Sequence, residues 1–328
     1  MQRSKRRDNV VEALLHSCRQ DPVLGDRRGG RVVVAFSGGP DSSTLLHAMS
    51  RASPSLRLAL VAVHVDHGLR PASATEAAAA ATFAGALGVP LEVHRVRPRG
   101  RGEDAARRAR YEVLNLVARR EDAATIALGH TADDQAETVL LHLLRGAGLE
   151  GLAAMSPREG LRFRPLLGVW RDQVEAYCRR HDLNPVHDET NEARDFARNR
   201  VRHELIPLLE AAYNPRAREA LVRLALAARD EHRVVATAAS RWLKAHPAPH
   251  PRKLFNRLQP GVQVEVLRSA WAVAAGLDGP AGDSGRLRRA LDLLGSSRGG
   301  MIHLGAGFEL DVHATNFAIH PVRVLTEP

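Results

Sequence analysis

The sequence predicts an α/β fold, a doubly wound parallel sheet followed by a smaller, mainly helical C-terminal domain. Three observations carry this expectation. Strand-length apolar runs alternate with helical patterns from Arg31 to Leu144, a glycine- and serine-rich turn joins the first such pair, and the alternation gives way to long helical patterns after Pro207. Strands alternating with amphipathic helices form a parallel sheet covered on both faces, with ligands at the carboxyl ends of the strands.

Taken in order, a basic leader predicts a helix, Arg31 to Phe36 (RVVVAF) a buried strand, and Ser42 to Ser50 a helix. Further strands are expected at Leu58 to Val65, Leu91 to Val96 and Ala124 to Leu128, with helices at Ser73 to Leu87, Glu103 to Arg120 and Asp133 to Leu144. A helix at Val169 to His181 leads into the arginine-rich stretch Ala193 to Glu204, and Pro207 marks a break. The domain boundary is placed there, giving residues 1–209 and 210–328. Beyond it, helices are expected at Ala217 to Ala245, Val262 to Ala275 and Gly285 to Leu294. The tail from Met301 to His320 alternates apolar and polar residues around turns and predicts a small antiparallel meander.

The 328 residues, 44% hydrophobic, suffice for two or three domains. No apolar run approaches the length needed to span a bilayer, and the N-terminus lacks the pattern of a secretory signal, so a cytoplasmic location is the default expectation. Cys18 and Cys178 are far apart and have no Cys-x-x-Cys spacing, which argues for buried small hydrophobes. The net charge of +10 suits a polyanionic partner. Arginine supplies most of it, the lysines being Lys5, Lys244 and Lys253, and arginine-rich coding bias explains part of the basicity. Nothing between Arg6 and Trp242 can therefore serve as a Walker or Schiff-base lysine.

The strongest local signal is SGGPDSS, Ser37 to Ser43, between a strand and a helix. Its glycines let backbone N–H groups close around an anion, the helix N-terminus adds partial positive charge, and the hydroxyls of Ser37, Ser42 and Ser43 add donors. The second strand ends in VHVDHGLR, where Asp66 could bind a metal or a ribose hydroxyl and His64 and His67 could line a pocket. A packing role is equally open for each histidine. The fourth strand runs into GHTADDQAET, Gly129 to Thr138. Thr131 can cap the following helix, and the spacing of Asp133, Asp134 and Glu137 puts carboxylates on one helix face beside His130.

SGGPDSS lacks the Gly-Lys-Ser/Thr ending of a Walker loop and resembles the PP-loop of the ATP pyrophosphatases, which have an adenine nucleotide alpha-hydrolase-like fold. With VHVDHGLR, ARRARY (Ala106 to Tyr111), GHTADDQAET, RPLL (Arg164 to Leu167), Asp188, Asn191 and Arg198 to Arg202, the stretch from Arg31 to about Leu209 resembles the tRNA(Ile)-lysidine synthetases. The resemblance implies ligation of L-lysine to C2 of the wobble cytidine of a CAU-anticodon tRNA(Ile), through an adenylated cytidine. It also implies ATP as co-substrate, with Mg2+ as cofactor.

Carried onto this chain, Ser37, Gly38, Gly39, Pro40, Asp41 and Ser42 would hold the pyrophosphate end of ATP, with Asp41 placing magnesium and His64 and Asp66 near the adenosine. Arg110 and His130 would stabilise charge in the reaction. Asp134, Glu137 and Arg202 would receive lysine, a carboxylate suiting an ammonium and an arginine a carboxylate. Residues 1–209 would then be the catalytic domain and 210–328 a tRNA-binding domain, with Arg198, Arg216, Arg223, Lys244 and Lys253 as RNA contacts. A homodimer is compatible with the sequence, and no membrane partner is expected. Alternatives are another PP-loop enzyme, such as a tRNA cytidine thiolase or a GMP or asparagine synthetase, and a catalytically silent RNA-binding protein.

Overall fold

The computed structural model describes residues 9–25, 29–66, 73–97, 100, 103–186, 197–276 and 284–322. The basic leader 1–8, His67 to Arg70 of the second motif, and Asp188, Asn191 and Arg194 lie outside them. The chain forms two compact units, residues 1–226 and 227–328.

In the first unit, α1 (Asn9–Gln20) precedes β1 (Gly30–Ala35), α2 (Pro40–Leu56), β2 (Leu58–Asp66), α3 (Ser73–Ala86), β3 (Leu91–Arg95), α4 (Glu103–Arg120) and β4 (Thr125–Ala127). Then come α5 (Ala132–Leu144), α6 (Leu149–Leu152), a short hairpin of β5 (Arg158–Glu159) and β6 (Arg162–Phe163), and α7 (Arg171–Arg180). The sheet order is β3-β2-β1-β4-β6-β5, with β5 antiparallel to β6 and the other neighbours parallel. The hairpin is too short for periodicity to reveal, so it extends the sheet beyond the four strands expected.

Strand β1 is buried on both faces, and its alternate residues feed two cores. Val32 and Val34 pack with Leu45, Leu46 and Met49 of α2, whereas Val33 packs with Val113, Leu114 and Val117 of α4. The sheet is therefore doubly wound. Because β2 and β3 lie on one side of β1 and β4 on the other, the chain reverses its winding between β1 and β4, and the crevice of an open α/β sheet lies at their carboxyl ends.

Helix α2 runs past its expected end at Ser50 and through Pro54. Proline has no N–H for the carbonyl of Ser50, and the Ser53 hydroxyl donates to that oxygen instead, at 2.9 Å.

The first unit closes with α8 (Ala197–Arg200), a π-helical turn (Val201–Leu205), α9 (Ile206–Ala212) and the start of α10 (Ala217–Ala245). The two units divide within α10, later than the boundary read at 209/210. Arg218, in the first turn of α10, ties the start of that helix to the first unit by donating to Glu210 at 2.6 Å and to Asp133 at 2.8 Å.

The second unit holds the rest of α10, β7 (His250–Pro251), α11 (Arg252–Phe255), α12 (Pro260–Ala275), α13 (Ser284–Gly295) and the strands β8 (Gly300–Gly305), β9 (Phe308–Val312) and β10 (Asn316–Pro321). The sheet order is β7-β10-β9-β8, all antiparallel, so the expected meander is present with β7 added at its edge. Trp242, Phe255, Trp271, Leu310 and Phe317 centre its own core. Among the described residues no helix is long and apolar enough to cross a membrane.

Candidate nucleotide site and its carboxylate cluster

The turn after β1 is held together by its own hydroxyls. Gly38 has φ of 88°, a left-handed conformation that favours glycine, and a Cβ there would meet Val186 at 3.4 Å. The Ser37 N–H donates to Ser42 Oγ at 3.2 Å, Ser42 Oγ donates to the Gly39 carbonyl at 3.0 Å, and Ser43 Oγ to the Gly38 carbonyl at 3.1 Å. Ser42 and Ser43 are buried and turned inward, so they shape the loop rather than present hydroxyls to an anion. The donors left for a phosphate are the backbone N–H groups of the first turn of α2, which Gly39 caps and Pro40 opens.

His64 is buried, and its Nδ1–H donates to the carbonyl of Phe36 at 3.0 Å, fixing the backbone just before the loop. Asp66 is buried at the end of β2, where it accepts from Arg95 Nε at 3.1 Å.

The loop after β4 closes on this turn. A Cβ on Gly129 would stand 3.2 Å from the carbonyl carbon and oxygen of Asp41 and 3.3 Å from the Ser42 nitrogen. Thr131 caps α5 as the sequence suggested: the Asp134 N–H reaches the Thr131 hydroxyl, and Asp134 Oδ2 accepts from the Thr131 N–H at 2.8 Å. The other oxygen of Asp134 accepts from Arg198 at 2.9 Å and Arg202 at 3.3 Å. Glu137, 1% exposed in its side chain, accepts from Arg198 Nε at 2.8 Å and from Arg202 at 2.5 and 3.0 Å. Two carboxylates and two guanidiniums thus form one closed cluster. Burial alone would raise Asp134, but Arg198, His130, the Thr131 N–H and Arg202 hold it below the ordinary carboxylate range.

Asp133 departs from the shared acidic face that its spacing predicts. Its oxygens accept from the Arg171 N–H at 2.7 Å and from Arg218 at 2.8 Å. Arg198, expected at an RNA-facing surface, points inward onto Asp134 and Glu137.

Arg198 and Arg202 are four residues apart and share a helix face, and a π turn begins between them. Pro207 has no N–H to offer the carbonyl of His203, and the Ile206 N–H reaches back five residues to Val201.

His130 is half-buried, and burial together with Arg164, Arg198 and Arg107 outweighs Asp134 to push its pKa down to about 3. Arg164 Nε donates to His130 Nδ1 at 3.3 Å, so at neutral pH the imidazole is uncharged and offers an Nε2–H. Arg164 is 2% exposed and also donates to Glu159 and to the Ser156 carbonyl, both at 2.8 Å. The sequence reading quoted Arg164 without giving it a role. Arg171 it missed entirely, although the guanidinium lies 3.5 Å from Asp41. Neither role has a local signal, since each depends on which strand or helix end arrives beside the loop.

Asp41 Oδ1 is buried without a hydrogen-bond partner. Burial pushes the Asp41 carboxyl up to about 6, against the pull of Arg171, with Asp134 adding to the rise. A buried carboxylate oxygen lacking a partner beside an anion-binding turn fits a hard cation such as magnesium.

Of the expected RNA contacts, Arg216, Arg223, Lys244 and Lys253 are exposed. Arg252, beside Lys253, is buried: it donates to the carbonyls of Leu293, Leu294, Ser296 and His313 and so caps the end of α13.

A phosphate-accepting turn and a carboxylate–guanidinium cluster, meeting at the winding reversal of a doubly wound sheet, define a nucleotide-binding α/β domain. The chain belongs to the PP-loop domain family, whose match covers residues 11–209. It is 45% identical over 219 residues to a tRNA(Ile)-lysidine synthase from Symbiobacterium thermophilum, an alignment covering 63% of this chain and 45% of that protein. It is 47% identical to another tRNA(Ile)-lysidine synthase from Salinispora tropica, covering 60% of this chain and 61% of that one. The chain therefore spans about half the length of the first of these relatives. A U34-tRNA thiolase from Methanococcus maripaludis superposes with a TM-score of 0.55 at 18% identity, over 67% of this chain and 79% of that one, a likeness of fold.

Proposed function

We propose that this chain is a cytoplasmic ATP-dependent ligase that joins L-lysine to C2 of the wobble cytidine of a CAU-anticodon tRNA(Ile). The observation that carries the reading is the close approach of Gly129 to Asp41 and Ser42, which sets the carboxylate–guanidinium cluster beside the nucleotide turn. The tRNA(Ile)-lysidine synthases at 45% and 47% identity support the substrate class.

In the first step the O2 oxygen of cytidine attacks the α-phosphorus of ATP, the α–β bridge breaks and pyrophosphate leaves. In the second the uncharged ε-amine of lysine attacks C2, the C2–O bond breaks, AMP leaves and the nitrogen gives up a proton. The first turn of α2 binds the pyrophosphate end. Asp41 would hold magnesium, which when bound neutralises phosphate charge.

Lysine enters at Asp134 Oδ1, where two guanidiniums share one oxygen, and its carboxylate draws Arg202 away from the cluster. Neutral His130, fixed by Arg164, donates a hydrogen bond to developing negative charge, and Arg110 adds its positive charge. The exposed cations Arg216, Arg223, Lys244 and Lys253 would contact the tRNA body.

Sulfur transfer is disfavoured. The chain's cysteines, Cys18 and Cys178, are both buried, and burial with the nearby Asp21 pushes the Cys18 thiol up to about 12. Mass spectrometry of tRNA(Ile) after incubation with ATP and labelled lysine tests the function. Label on the wobble cytidine with release of AMP is expected; unlabelled tRNA, or ADP as the main product, rejects it.

A further inference from the structure

Three arginines crowd one aromatic ring on the α4 side of the sheet. The guanidinium carbons of Arg107, Arg110 and Arg162 lie 5.4, 5.6 and 4.8 Å from the ring centre of Tyr111. A ring has two faces, so at least two of these cations share one and repel each other. Compensation is incomplete. Among the described residues the ion pairs here involve Glu159 alone, which Arg162 reaches at 3.4 Å and Arg164 at 2.8 Å, while Arg107 and Arg110 have no carboxylate partner. Arg110 Nε and the Tyr111 hydroxyl are both buried without a hydrogen-bond partner. Two adjacent residues thus present unused donors in a region of excess positive charge, an arrangement that an anion with several acceptor oxygens would complete.

We infer that Arg107, Arg110 and Arg162, gathered around Tyr111, form a seat for one phosphodiester group of the bound RNA. The inference rests on the reading that RNA is the substrate. A nucleotide phosphate has the same chemistry, but the turn that suits it opens α2, which packs on the opposite face of β1 from α4. Arg162 lies on β6, which runs into Arg164, and Arg164 donates to His130 at 3.3 Å, so the seat adjoins the proposed reaction site.

The test uses the full chain and a synthetic CAU anticodon stem-loop RNA, with binding followed by fluorescence anisotropy across a salt series. Arg107→Gln and Arg162→Gln should each lower the log–log salt slope by about 1 and weaken RNA binding about tenfold at roughly 0.1 M salt, with ATP affinity unchanged. Arg107→Lys should restore the slope. Tyr111→Phe keeps the ring and should weaken RNA binding at an unchanged melting temperature.

RNA affinity and slope equal to wild type in both glutamine variants would overturn the seat. So would a loss confined to ATP binding, which would assign the phosphate to the nucleotide. Lysine incorporation by the wild type, measured in parallel, separates this from the functional reading. A wild type that makes the product while the glutamine variants keep its RNA slope loses only the seat. A wild type that binds RNA as described but incorporates no lysine loses only the ligase assignment.

Discussion

Gly129 lies against the backbone of Asp41 with no room for a side chain between them: a Cβ would stand 3.2 Å from the Asp41 carbonyl. The turn after β1 and the loop that leads to the carboxylates are therefore packed backbone to backbone. Gly129→Ala should force them apart by a few tenths of an ångström, at a cost of about 1–3 kcal/mol in stability. The expected readout is weaker ATP binding by calorimetry in a folded protein. Wild-type affinity would show that the contact is slack.

Asp41→Asn keeps the shape of the side chain and removes its charge. Release of AMP and pyrophosphate should fall by at least about a hundredfold, the scale of losing one charge-stabilising group at a reaction centre. Phosphate-product analysis checks it, and undiminished AMP release would remove Asp41 from the site.

Glu137→Gln should be costly in a different way. It takes one of two charges from a closed cluster and leaves Arg198 and Arg202 with Asp134 between them, a loss of about 3 kcal/mol for a buried pair. Urea denaturation measures that loss, and lysine dependence in the same variant reports on the pocket. Stability and lysine KM both at wild-type values would sink the proposed lysine site.

His130 binds a proton in the unfolded chain near its ordinary pKa of 6.5 but in the folded protein only near about 3. Between these values the unfolded state holds more protons, so this residue's share of the stability is full above 6.5 and falls as pH drops toward 3. His130→Gln should remove that slope and narrow its gap to wild type by roughly 2 kcal/mol between neutral pH and about pH 5. Parallel stability curves for the two proteins would contradict the neutral imidazole.

In the second unit, Arg252→Ala should uncap α13 by leaving several buried carbonyls without donors, costing about 2–4 kcal/mol. Thermal melts should show the second unit unfolding first, with ATP affinity intact and tRNA affinity reduced. Loss of ATP binding at the same temperature would tie the two units into one folding event. A truncation that asks the same question belongs after Leu226, because Arg218 closes the first unit onto Asp133 and Glu210.

Much of this was legible in the sequence because it is written locally. VVVAF, Val32 to Phe36, is apolar at every position, as a strand buried on both faces requires, and Thr131 stands three residues before Asp134, the spacing of a capping box. What was illegible depends on partners distant in the chain. Spacing put Asp133 on the face of Glu137, but the Arg171 backbone and Arg218 draw it elsewhere. Ser42 and Ser43 read as anion donors, yet the loop's own carbonyls take their hydrogens. Arg198 read as a surface cation until Asp134 and Glu137 arrived beneath it. The hairpin β5–β6 has two residues in each strand, too few for a period to show.

The π turn at Val201–Leu205 sits two residues before Pro207, which could not have completed an α-helical ladder. A widened turn elsewhere would sacrifice a sound backbone bond, whereas beside Pro207 that bond was already missing. The irregularity thus falls where the backbone tolerates it most easily, and it sets the angular phase between Arg202 and the helix α9 that follows. The widened turn therefore separates the direction in which α9 leaves from the four-residue spacing that puts both arginines on one helix face. Deleting one residue after Arg202 would keep both guanidiniums on their shared face yet rotate α9 by roughly 100° relative to them.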